Sequence, residues 1–154
     1  MSSGGFFVHI VDVWSQWRPV CRTMLEVVCG VIENAAAEFL ACLRPVGKHL
    51  GGFWEFPGGK IDLDETPEMA LTRELMEELA VEVEVGLPLG AVIWNYGELT
   101  IRLQPFHCRI TGGELRAVEH EKLCWCAPEN FHQLDWAPAD VPILGEIARL
   151  LLPL

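Results

Sequence analysis

Between Arg73 and Leu79 the chain reads RELMEEL, which sets Glu74, Glu77 and Glu78 within five residues of one helical stretch. Like charges three and four apart on a helix repel by about 0.2–0.5 kcal/mol per pair, so any fold built around this segment must find a use for the crowding. Thr66 can cap the helix and Pro67 can take its first position, which predicts a helix over 67–79. At about 100° per residue from Pro67, Glu77 falls at about 280°, Glu74 at about 340° and Glu78 at about 20°. The three carboxylates therefore share an arc about 100° wide. Leu75, Leu79, Met76 and Met69 form the stripe expected to face the core. A solvated helix face usually mixes signs, but this one has no lysine, and its only cation is Arg73 at the edge of the arc. The acidic arc is thus either a solvated surface or a seat for a hard divalent cation, whose charge would cancel the repulsion.

The segment before the helix, FPGGKIDLDE, favours the second reading. Gly58 and Gly59 permit close approach of backbone groups, and Lys60 adds a positive charge beside them. A glycine loop, a lysine and a carboxylate helix together suggest a metal-bridged phosphate site. The net charge of −11 argues against a duplex DNA or anionic membrane partner. It is compatible with small polyanions bound through divalent ions.

The remaining pattern predicts one domain over 24–154, with 1–23 as an extension of unclear structure. That extension lacks the basic start of a signal peptide, and His9 and Asp12 break its apolar run. At 154 residues and 51% hydrophobic content, the chain is long and apolar enough for a single real core. Six cysteines form no Cys-x-x-Cys pair, which predicts reduced thiols in a cytoplasmic protein rather than a zinc site. Apolar runs at 25–33 and 37–45, separated by NAA, predict a hairpin, and 46–66 a long loop. Strands are expected at 81–86, over a second hairpin (89–96 with 99–110), and at 122–128. A closing helix is expected at 140–152. This mixture predicts an α/β or α+β sandwich rather than an all-β barrel.

The charged positions also fall on a known pattern. Gly59, five residues, Glu65, seven residues, then Arg73-Glu74-Leu75-x-Glu77-Glu78-x-Ala80-Val81 resembles the Nudix box, departing from it only at Ala80, where the family usually has Gly. WEFPGGKID (54–62), the LRP at 43–45 and WAPADVPIL (136–144) resemble the MutT-like branch, which includes 8-oxo-dGTP diphosphatases and CTP pyrophosphohydrolases. The resemblance implies an α/β/α sandwich: a mixed β-sheet with the acidic helix on one face and a C-terminal helix on the other. It implies a Mg²⁺-dependent (or Mn²⁺-dependent) hydrolase that converts a nucleoside triphosphate to monophosphate and pyrophosphate, acting in nucleotide-pool sanitation and so in DNA repair. Other members act on nucleotide sugars or dinucleoside polyphosphates, or serve as non-catalytic sensors.

By the same resemblance Glu77 and Glu78 are metal ligands, joined by the Gly58 carbonyl. Glu74 binds metal or orients a carboxylate or water. Glu119 is a loop ligand or general base, with Glu121 as competitor. Arg44 and Lys60 bind phosphate. Gly59, Glu65 and Arg73 are structural, the last two as a salt bridge between loop and helix. Phe56 and Trp54 are core residues or neighbours of the base. Asp140 either contacts the base or caps the last helix. His107 and His120 read as ordinary strand or surface histidines. No nucleic acid polymer or membrane partner is implied, and the sequence leaves monomer and homodimer equally open.

Overall fold

A computed structural model of the chain describes residues 23–151. The extension expected at 1–23 lies outside them apart from Thr23. In chain order the elements are β1 (Met24–Ile32), β2 (Phe39–Leu43), β3 (Trp54–Glu55), β4 (Gly58–Lys60), α1 (Pro67–Leu79), β5 (Val81–Pro88), β6 (Val92–Asn95), β7 (Thr100–Gly113), β8 (Lys122–Cys126) and α2 (Val141–Leu151). A 3₁₀ turn over Pro128–Gln133, not anticipated from the sequence, links β8 to the approach to α2.

Strand β1 is the spine. It runs parallel to β7 along its full length, from Met24 opposite Thr100 to Ile32 opposite Cys108, and its other edge pairs antiparallel with β4. Strand β7 also pairs antiparallel with β5 and β6, completing a five-stranded mixed sheet. A smaller antiparallel sheet has the order β3-β2-β8. Because side chains alternate across a strand, β1 serves two cores. Val28 and Ile32 pack with Leu71, Leu75 and Leu79 of α1, while Cys29 and Val31 pack in the cluster that holds Ile143 and Ile147 of α2. One helix therefore covers each side, which is the α/β sandwich the sequence predicts.

The hairpin expected between 25–33 and 37–45 does not form. Its turn does: Asn34 Oδ1 accepts from the N–H groups of Ala36 (2.9 Å) and Glu38 (3.0 Å). After a single bridge between Glu33 and Phe39, β2 departs to the other sheet. Both edges of β1 are already taken by β4 and β7, so no ladder is left for β2. The expected loop at 46–66 likewise contains the short strands β3 and β4. The hairpin of β6 with the start of β7 is present as predicted.

Helix α1 has the predicted bounds and cap, with Thr66 Oγ1 accepting from the Met69 N–H at 3.2 Å. Its buried face is rotated from expectation. Ala70, Leu71, Leu75, Glu78 and Leu79 are buried, whereas Met69 and Met76 are exposed. The core stripe is thus centred on Leu71 and Leu75, and one of the three clustered glutamates lies inside it.

Candidate active site

The rotation of α1 decides the character of its acids. Glu78 is 8% exposed, and its Oε2 accepts the Gly58 N–H at 3.2 Å. Burial is the main reason its carboxyl is pushed up to about 9; the nearby charges of Glu55, Glu74 and Glu119 act in the same direction. Glu74 is half-buried and also raised, chiefly by burial, with Arg73 opposing. Glu77 sits at the exposed rim.

Strand β4 lies directly over this face because it has no side chains there. A Cβ at Gly58 would strike the Val28 carbonyl of β1, and one at Gly59 would strike the Glu74 carboxylate. Neither glycine adopts a positive φ; both serve close approach. Arg73 ties the assembly together. Its Nε donates to Glu65 Oε1 at 2.8 Å, its Nη2 to the Lys60 carbonyl at 3.1 Å, and its Nη1 to Glu74 at 3.1 Å and Glu77 at 3.3 Å. Its guanidinium is held charged, first by Glu65.

Two clefts adjoin this platform. One, of about 220 Å³, is bordered by Arg44, Lys48, Glu55, Glu78, Glu119 and His120. Glu119 is exposed at its mouth; Glu121 is not part of its lining. The other, of about 230 Å³, is mainly apolar, with Val27, Tyr96, Ile101 and Leu103 in its walls, Lys60 and Gly59 at one side and Asp140 at its base. Arg44 and Glu55 border both.

Asp140 reaches its place because the preceding segment is laced to β3: Trp54 N–H donates to the Asp135 carbonyl and Ala137 N–H to the Trp54 carbonyl, each at 2.8 Å. Its Oδ1 then accepts the Phe56 N–H at 2.9 Å, across 84 residues of chain. Among the described residues its side chain takes no hydrogen bond from α2; Oδ1 is held by the residue that follows β3. Burial pushes its carboxyl up to about 8, with Glu55 adding and the Phe56 N–H opposing. The Phe56 ring is core, 4.9 Å from the Trp136 ring between centroids. Trp54 is half-buried against the same cluster.

Arg44 is engaged in the free protein: Nη1 donates to both oxygens of Glu55 at 3.0 and 3.1 Å, and Nε to the His49 carbonyl at 2.8 Å. Glu55 escaped the sequence reading, and its second partner, His120, reads there as an ordinary strand or surface histidine. His120 is buried with Nε2 3.0 Å from Glu55 Oε1, not an ordinary surface histidine. An acid isolated in the apolar GGFWEFPGG was the available signal for Glu55; nothing local marked His120. His107 lies in β7, paired with Glu33 at 2.6 Å and remote from both clefts.

The donor set on α1 is carboxylate, which suits a hard divalent cation. Glu78, buried and costly to ionise alone, would be relieved by such an ion. Among the described residues no three such groups are already gathered around one point. Arg73 draws Glu74 and Glu77 to itself, so an ion would compete for them but not for Glu78.

The fold, with its acidic helix beneath a glycine strand, is that of a hydrolase family. Residues 28–146 match the family model described as the NUDIX domain, and the chain belongs to the Nudix hydrolase family, whose members generally use a divalent metal. An Escherichia coli K12 protein named CTP pyrophosphohydrolase is 41% identical over 127 residues, covering 82% of this chain and 93% of the relative. An 8-oxo-dGTP diphosphatase of the same organism is 29% identical over 126 residues, covering 82% and 98%. The solution structure of the E. coli ORF135 protein superposes with a TM-score of 0.74 at 39% identity, covering 82% of this chain and 90% of that one. Among the described residues no helix is long and apolar enough to cross a membrane.

Proposed function

We propose that the chain is a Mg²⁺-dependent pyrophosphohydrolase of MutT type, cleaving an oxidised or otherwise modified nucleoside triphosphate to the monophosphate and pyrophosphate. The cytoplasm, where nucleotide pools reside, is the compartment this activity implies. The observation that carries the reading is Glu78, a buried carboxyl of the acidic helix that accepts from the glycine strand and lines the polar cleft.

The polyphosphate occupies the acidic side and the base the apolar cleft. Glu77 and Glu78, with Glu74, Glu119 and the Gly58 carbonyl, are the groups that would hold the ion. When bound, Mg²⁺ neutralises the phosphate oxygens and stabilises the departing pyrophosphate. Arg44 and Lys60 pair with phosphate oxygens. Glu74 or Glu119 accepts the proton of the attacking water as its oxygen bonds to phosphorus and the bond from that phosphorus to the bridging oxygen breaks, the electron pair leaving with that oxygen. Asp140 offers its free Oδ2 to the base, as an acceptor when ionised and as a donor when protonated. The ionised form suits the donors cytosine N4 and guanine N1 or N2, and the protonated form, favoured below about pH 8, suits the ring and carbonyl acceptors that both bases also carry. The candidate substrates are therefore 8-oxo-dGTP and CTP or a modified dCTP.

A hydrolysis panel with Mg²⁺ over 8-oxo-dGTP, dGTP, CTP and 5-methyl-dCTP tests this. At least one should release pyrophosphate, and Glu77→Gln and Glu78→Gln should each cut its turnover roughly 10²-fold or more while melting normally. Pyrophosphate from none of the four would refute the substrate reading. Variants that keep full turnover would refute the assigned roles.

A further inference from the structure

Only one ring nitrogen of His120 is used. Its side chain is 5% exposed, Nε2 meets Glu55 Oε1 at 3.0 Å, and Nδ1 is sealed without a partner. A carboxylate can only accept, so Nε2 carries a proton and donates to it. The same carboxylate holds Arg44 through both oxygens, and Glu55 stands in the wall shared by the two clefts.

A polyphosphate that passes that wall, as the proposed function requires, competes with Glu55 for Arg44, whose Nη1 and Nε are both engaged. A mostly buried carboxylate stripped of its donors is costly, and it would either follow Arg44 or swing into the phosphate path, where its charge repels. His120 is the donor that stays behind. We propose that His120 is a positioning residue: it pins Glu55 to the cleft wall so that Arg44 can exchange Glu55 for phosphate.

The test compares His120→Gln, whose amide nitrogen reaches the place of Nε2, with His120→Asn, one carbon shorter. Two readouts are used: calorimetric binding of inorganic pyrophosphate with Mg²⁺, and steady-state kinetics on whichever of the four nucleotides the wild type hydrolyses, with thermal melts to verify folding. His120→Asn should weaken pyrophosphate binding and raise KM about tenfold while kcat falls far less, and His120→Gln should recover most of both losses. In a Glu55→Gln background the Asn substitution should have little further effect. Equal losses for Gln and Asn, an Asn variant that matches wild type, or an undiminished loss in the Glu55→Gln background would each overturn the proposal. Wild type binding pyrophosphate but hydrolysing no nucleotide would refute the substrate reading alone, leaving the Asn–Gln comparison to decide the role of His120. Wild type that binds no pyrophosphate overturns this proposal.

Discussion

Asp140 is a carboxyl that the fold keeps from water. Its ordinary value is 3.8, and burial raises it to about 8 in the folded chain. Between those values the folded protein retains a proton that the unfolded chain has released, so this group's contribution to stability is present at low pH and is lost as pH rises through about 8. Asn keeps the oxygen that accepts from Phe56 and has no proton to lose. The melting temperature of Asp140→Asn relative to wild type should therefore climb from about pH 5 to about pH 9. A difference that is flat over that range would contradict the burial argument. This residue also marks where sequence reading stops. Glu74, Glu77 and Glu78 could be placed on one face because helix geometry is local. Whether Asp140 caps α2 or meets Phe56 depends on a contact spanning 84 residues, and the Glu55–His120 pair joins positions 65 apart.

The end of α1 illustrates the same limit at the scale of an element. Ala80 closes the helix in the left-handed region, with φ 57° and ψ 34°, its N–H returning to the Met76 carbonyl. That conformation strains any residue with a Cβ by about 1 kcal/mol, and Ala80 is the one departure from the sequence motif. Ala80→Gly should stabilise the chain by about 1 kcal/mol in denaturant unfolding with the slope unchanged. Lower stability would show that the cap is not strained. The bounds of α1 were legible because capping chemistry is written in adjacent residues. Its buried face was misjudged because Met69 and Met76 are as apolar as Leu71 in pattern. Only the position of β1 and β4 determines which of them meets the core. For β1 and β2, the turn signal at Asn34 was sound, but pairing went to β7, some seventy residues away along the chain, and no local pattern carries that information.

For the molecule as a whole, fold class was readable because strands outnumber helices and an amphipathic helix follows the glycine loop, a mixture that a two-sided sandwich satisfies. The site was readable in outline because the motif specifies charged positions at fixed spacing. The existence of two adjoining clefts was not, since Arg44, Glu55, Tyr96 and Asp140 come from four separate segments joined only in the folded chain. The architecture sets a repelling acidic face of α1 beneath the two glycines of β4 and next to an apolar recess. In a chain of net charge −11, a polyphosphate can be held there only through cations. The central claim is therefore that Mg²⁺ joins the α1 carboxylates to a triphosphate whose base lies over Asp140. A crystal soaked with Mg²⁺ and a non-hydrolysable nucleoside triphosphate tests it most directly. Ions against Glu78 and its neighbours, phosphates beside Arg44 and Lys60, and the base in the Asp140 cleft are the predicted result. Carboxylates pointing separately into solvent, with the nucleotide bound elsewhere, would contradict it.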